Sequence, residues 1–157
     1  MFRKIKRLLF GGFCSAISQG MKVGIGCSAM RKCDFGPEPY LITLHDNVRI
    51  SSGVTFITHD GGTWAFRDQE KYKSVIKYGR IEVGERTFIG ANSTIMPGVT
   101  IGKRCVIGAG SVVTKSVPDG MVVCGVPAKT VMTTEEYAEK CLANTPSYDE
   151  EAYMKDI

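Results

Sequence analysis

Two histidines, His45 and His59, are the side chains of this sequence whose unperturbed ionisation falls near neutral pH, and such groups serve as general bases without large tuning. His59 stands next to last in the run Phe56-Ile-Thr-His-Asp, and the 23 residues after His59 hold Trp64, Phe66, Tyr72 and Tyr78 with Arg67, Asp68, Glu70, Lys71 and Lys73 among them. That mixture suits a cover over a polar ligand, and excursions of such length inside compact units are usually functional. A base at the rim of the cover can take a proton from a hydroxyl or an amine. The competing reading is a loop packed on its own subunit or on a neighbour. His45 stands where comparable positions mostly hold Gly or Ser, which marks it as an outward surface or interface residue, with catalysis as the rival role.

A cysteine nucleophile is the other route to group transfer. The six cysteines (14, 27, 33, 105, 124 and 141) form no C-x-x-C pair and no zinc-type spacing. They read as small buried residues in a reducing compartment, with the cytoplasm as the default. Cys105 and Cys124 lack a basic neighbour in a catalytic pattern. Two histidines also fall short of the three that a carbonic-anhydrase-like zinc site needs, so no metal is expected.

The elements that position these groups follow from a period of six. From Val83 the chain runs Val83-Gly-Glu-Arg-Thr-Phe, Ile89-Gly-Ala-Asn-Ser-Thr, Ile95-Met-Pro-Gly-Val-Thr, Ile101-Gly-Lys-Arg-Cys-Val, Ile107-Gly-Ala-Gly-Ser-Val and Val113-Thr-Lys-Ser-Val-Pro. The frame recurs at Leu44, Ile50 and Phe56, and more faintly from Ile25. All nine first positions from 44 to 113 are apolar, which at a 43% hydrophobic background has a chance of about one in two thousand. The fifth positions are small or β-branched. Six matches neither a helix nor a plain strand but suits short strands joined by recurring turns. Glycine at position two and Asn, Gly or Arg at position four fit those turns, and three hexads make one coil of 18 residues.

These hexads resemble the hexapeptide-repeat acyltransferases, and the stretches around Glu38-Pro-Tyr-Leu-Ile and Thr58-His-Asp-Gly-Gly look like the bacterial polysaccharide and sugar O-acetyltransferases within that family. The resemblance implies an all-β solenoid, a left-handed parallel β-helix with short N- and C-terminal helices and one extruded loop, working as a homotrimer. It implies acetyl-CoA as co-substrate and His59 as the base that deprotonates the acceptor hydroxyl. Ala91, Ala109, Thr114 and Lys115 match residues that line the coenzyme groove between subunits, Lys129 matches a basic residue near its nucleotide end, and Val122-Val-Cys-Gly-Val-Pro-Ala-Lys129 looks like the closing signature. Glu38, Asp60 and Trp64 are the candidates for the acceptor side, and Glu38 or Asp34 can also orient the imidazole. Residues 1–22 match neither the helical domain of serine acetyltransferases nor a nucleotidyltransferase domain, so neither activity is the one expected. The second class of function on this fold is a non-catalytic trimeric scaffold or sugar-binding protein.

The expected organisation is a helix and linker over 1–22, a β-helix over 23–131 with its loop at 60–82, and a helical tail over 132–157. Thr133-x-x-Glu136 is a capping box ahead of a helix expected to cover the open end. Residues 1–10 set Phe2, Ile5, Leu8 and Leu9 against four basic residues: a packed helix, peripheral contact with an anionic membrane, or an export signal, the last weakened by paired glycines and the lack of a cleavage site. Arg3, Lys4, Lys6 and Arg7 account for the whole net charge of +4, so no nucleic-acid partner is expected. No apolar run reaches the 18 or so residues of a membrane span.

Overall fold

The computed structural model describes residues 11–145; the basic stretch 1–10 and the acidic tail after Thr145 lie outside the described residues. Strands β1 (Lys22–Val23), β3 (Ile42–Leu44), β6 (Ile81–Val83) and β9 (Thr100–Ile101) pair in parallel as one sheet, here called face A. Face B joins β2 (Ser28–Ala29), β4 (Arg49–Ile50), β7 (Phe88–Ile89), β10 (Val106–Ile107) and β12 (Met121–Gly125), and face C joins β5 (Thr55–Phe56), β8 (Thr94–Ile95) and β11 (Val112–Val113). The chain visits A, B and C in turn, so it winds as a three-sided coil of parallel rungs. Glu82 pairs with Thr100, Phe88 with Val106 and Thr94 with Val112, each eighteen residues on.

The hexads explain the winding. All nine first positions, from Leu44 to Val113, are at most 2% exposed and stack as the core. Each contributes about 1.5–3 kcal/mol by burial against its counterpart one coil away. The fifth positions point inward too, and their hydroxyls find turn carbonyls: Thr87 Oγ1 donates to Gly102 O at 2.8 Å and Ser93 Oγ to Gly108 O at 3.0 Å. The fourth positions turn the corners. Asn47, Arg86, Asn92 and Arg104 have φ of 58°, 54°, 57° and 53°, and Gly53, Gly98 and Gly110 share that left-handed region, which explains the Asn and Gly at most of these slots.

Two interruptions fall at one corner, where face C turns into face A. Val23 pairs with Leu44 and Ser28 with Arg49, twenty-one residues apart, so the first coil holds three residues more than the repeat. They are taken up over 36–41, which includes a 3-10 turn at Pro39–Leu41. The expected frame from Ile25 is therefore corrected. Val23 and Ala29 occupy its inward slots, and Ile25 lies on a corner, 84% exposed. Between the second and third coils Thr43 pairs with Glu82, thirty-nine residues on, and the excess is the aromatic loop. The coil resumes at Ile81, so Ile81 and Glu82, assigned to the loop from sequence, are strand residues.

Helix α1 (Gly11–Ser18) packs at the first coil, burying Ala16 and setting Phe13 5.8 Å from Phe35, which stacks on Phe56. At the other end β13 (Ala128–Thr133) folds back antiparallel on β12. The Thr133–Glu136 capping box forms and starts helix α2 (Thr134–Asn144). The expectation that α2 covers the open end is not met within the chain: none of its residues is buried and Leu142 is 74% exposed. Tyr137, Ala138, Cys141 and Leu142 do fall on one side of the helix, but that side is not buried against the last coil and stays exposed. The cysteines also depart from expectation. Cys105 alone is buried, Cys27 and Cys33 are half-buried, and Cys14, Cys124 and Cys141 are exposed because they sit on outward positions of α1, β12 and α2.

Candidate active site

The corner between faces C and A gathers the chemistry. Along β5 the side chains alternate, with Phe56 and Thr58 inward and Ile57 and His59 less buried. Thr58 is 1% exposed, and the His59 side chain is 42% exposed. One coil earlier the extra residues bring Glu38 over this turn, with its side chain 15% exposed. Glu38 Oε2 accepts from His59 Nδ1 at 2.9 Å and from Thr58 Oγ1 at 2.6 Å. The Thr58 hydroxyl, opposed by burial and aided by His59, holds the Glu38 carboxyl below its ordinary range. An ionised carboxylate only accepts, so Nδ1 is the donor in this contact, and whenever the ring is neutral its lone pair is on Nε2. In that tautomer Nε2 is the ring nitrogen not engaged by Glu38 and is able to accept a proton.

The loop is tied at its root. His59 and Tyr78 form an antiparallel bridge with their rings 6.2 Å apart, edge to face. Asp60 N donates to Lys77 O at 2.8 Å and Gly79 N to Thr58 O at 2.9 Å. A Cβ on Gly79 would come within 2.2 Å of Gly98 N, so only glycine lets the returning strand lie against the next coil. Both Asp60 oxygens are engaged in this root: Oδ1 accepts from Gly62 N and Oδ2 lies 3.1 Å from Lys77 Nζ, contacts that hold the carboxyl below its usual range. Beyond the root, Phe66 packs edge to face on Tyr72 at 5.7 Å, Arg67 Nε donates to Lys73 O, and Trp64 is 83% exposed. Trp64 lines a groove of about 550 Å³ with Arg67, Asp68 and Lys73, which does not include His59.

The remaining candidates occupy two edges. Thr114 and Lys115 follow β11 at the same corner as His59, two coils further on, or roughly 10 Å along the axis at strand spacing. Ala91 and Ala109 stack one coil apart at the corner between faces B and C, where Gly110 N donates to Ala91 O at 2.8 Å. Lys129 is exposed on β13, opposite Cys124. Asp34 accepts from Gly36 N and is not joined to His59. Within one chain, then, Glu38 and His59 meet, while Ala91, Ala109, Lys129 and Trp64 lie apart from them. Thr58 escaped the sequence reading. The signal is in the alternation, which puts a polar side chain on the inward slot beside His59.

His45 is outward-facing at the corner between faces A and B. Its Nε2 lies 2.6 Å from Glu82 Oε1, and both side chains are about half exposed, at 49% and 51%. They line a groove of about 400 Å³ with Asp46, Glu85, Lys103 and Asp119. Two of these carboxylates are structural, since Asp46 accepts from Ile25 N and Asp119 from Lys103 N, both across coils at 2.8 Å. Burial pushes the Cys105, Cys27 and Cys33 thiols up, which keeps them protonated and poor nucleophiles. Among the described residues no helix is long and apolar enough to cross a membrane.

Residues 80–115 match the family described as hexapeptide repeat of succinyl-transferase. The chain is 50% identical over 127 residues to Protein CapG of Staphylococcus aureus, covering 80% of this chain and 73% of that one. It is 37% identical over 94 residues to the galactoside O-acetyltransferase of Escherichia coli strain K12, covering 60% of this chain and 45% of the relative. Among solved structures, serine acetyltransferase from Neisseria gonorrhoeae matches with a TM-score of 0.55 at 30% identity, over 73% of this chain and 39% of that one. The chain thus spans most of the first relative and less than half of the other two.

Proposed function

Because this chain belongs to the hexapeptide-repeat acyltransferases, we propose that it moves an acetyl group from acetyl-CoA to a saccharide hydroxyl, as a homotrimer of left-handed coils with His59 as general base. The observation that carries the reading is the 2.9 Å contact from His59 Nδ1 to the Glu38 carboxylate, which leaves Nε2 as the accepting nitrogen. The thioester is already activated, so direct transfer needs a base, an oriented acceptor and donors for the developing oxyanion. Nε2 takes the hydroxyl proton, the hydroxyl oxygen bonds to the acyl carbon, and the carbon–sulfur bond breaks. The proton then passes to the leaving sulfur, giving the ester and free thiol.

His59, Thr114 and Lys115 share the corner between faces C and A, while Ala91 and Ala109 stack at the corner between faces B and C, so a site that uses both sets is completed by a neighbouring copy. One copy supplies the edge with His59, Thr114 and Lys115, and another supplies Ala91 and Ala109, whose small side chains suit a slender pantetheine arm against the backbone. Lys115 and Lys129 then serve the phosphates. Trp64 offers an exposed ring for a sugar face, while Glu38 and Asp60 act by holding the base and the loop root. A scaffold has no need of a base held by a half-buried carboxylate.

Free-thiol release from acetyl-CoA against a panel of sugars, with His59→Ala alongside, tests the reading. Turnover with a sugar acceptor that the variant loses is expected. Coenzyme binding without thiol release for any acceptor returns the scaffold, and full turnover by His59→Ala removes the base.

A further inference from the structure

We propose that Thr58 is a positioning residue of this site: its buried hydroxyl fixes the Glu38 carboxylate, which in turn fixes the His59 ring. The inference rests on His59 being the base and goes one residue deeper. Thr58 and His59 are neighbours on opposite sides of the turn, one 1% exposed and the other with its side chain 42% exposed. Both reach the same oxygen, Glu38 Oε2, at 2.6 Å and 2.9 Å. Glu38 comes from the irregular stretch of the previous coil, just before buried Pro39. Without Thr58 the carboxylate would hang on one bond to a half-exposed ring, free to rotate toward water. With two donors its rotamer is set from the core side, and the imidazole inherits that setting.

The chemistry of the threonine is restricted to this task. It is sealed from any substrate, so it acts on the base and not on binding. Its hydroxyl is the leading cause of the lowered Glu38 ionisation, and among the described residues His59 is the one titratable group that bears on the same carboxyl. Thr58 thereby keeps Glu38 an acceptor. A protonated Glu38 could donate to Nδ1 and stabilise the tautomer with its proton on Nε2, which cannot serve as base.

The test compares Thr58→Val, which removes the hydroxyl at similar volume, with Thr58→Ser, which keeps it. In the full-length, isotope-labelled protein the Glu38 carboxyl carbon is titrated and the His59 ring nitrogens are read for tautomer. Wild type and Thr58→Ser should show Glu38 titrating below the ordinary carboxylate range and His59 protonated on Nδ1. Thr58→Val should move the Glu38 midpoint upward and mix the tautomers, with kcat down roughly tenfold and KM unchanged. A Thr58→Val protein that keeps the wild-type Glu38 midpoint and a single tautomer overturns the proposal. If that variant does not fold by circular dichroism, Thr58→Ala is judged by the same two spectra. Should wild type transfer no acyl group to any acceptor, the functional reading fails, yet the spectra still decide whether Thr58 sets Glu38 and His59.

Discussion

Two histidine–carboxylate pairs sit on neighbouring corners of this coil, and they have opposite surroundings. His45 and Glu82 make the shorter contact, 2.6 Å against 2.9 Å, yet both lie half in water on a regular stretch of the repeat. His59 and Glu38 meet where the repeat is broken twice, the carboxylate is largely covered, and a second donor holds the same oxygen. Distance alone therefore does not tell which pair is firmly held. Shielding and a third group do, because a charge-assisted bond in water is worth little while one fixed from the core keeps its geometry.

Alanine at each histidine gives the widest split. His59→Ala should lower turnover by about 10² to 10⁴, the usual contribution of a positioned base, while His45→Ala should stay within about twofold. Steady-state thiol release on both variants checks this. Equal losses would erase the distinction and make His45 a partner in the chemistry. The carboxylates give a narrower contrast. Glu38→Gln keeps an acceptor but loses its charge, so turnover should fall roughly 10- to 100-fold, and Glu82→Gln should leave it near wild type.

Much of this molecule could be read from the sequence, and the reason is periodic. Ile89, Ile95, Ile101 and Ile107 recur every six residues because each corner needs the same turn and each rung the same inward side chain. The first coil does not read so, because three added residues over 36–41 put it out of step and a frame begun at Ile25 falls two residues past the inward slot of Val23. The meeting of Glu38 with His59 was only an option in the sequence. Twenty-one residues separate them, and they touch only because the short insertion and the aromatic loop both leave the coil at one corner. Strand β13 was missed although Gly125-Val-Pro-Ala between two strand-like runs is a hairpin signal. The three exposed cysteines depart from expectation because they lie on two helices and on strand β12, where a small, weakly polar side chain fits the outward side as well as the inward one.

Acid separates the pairs more finely. The Glu38 carboxyl ionises below its ordinary value in the folded chain, so its contribution to stability is complete above the unfolded value. It is lost as pH falls below the ordinary carboxylate range and through the folded value. Urea unfolding of wild type and Glu38→Gln should give a gap that is constant near neutrality and closes over that fall. A gap independent of pH would mean that the carboxylate is not specially held.

The smallest effect is expected at the outer pair. A double-mutant cycle over His45→Ala and Glu82→Gln should return a coupling of at most about 0.5 kcal/mol, shrinking further in salt, since both partners are about half exposed and fixing them costs side-chain entropy. The contact nonetheless sits at the mouth of a groove rich in carboxylates, and if a neighbouring copy covers that corner the water leaves and the coupling grows. The cycle is therefore run by urea unfolding at two protein concentrations. Weak coupling at both leaves His45 a solvated residue of the corner between faces A and B. Coupling above about 1.5 kcal/mol that appears only at the higher concentration would place the pair in a subunit contact, and the two corners would then differ in partner and no longer in exposure.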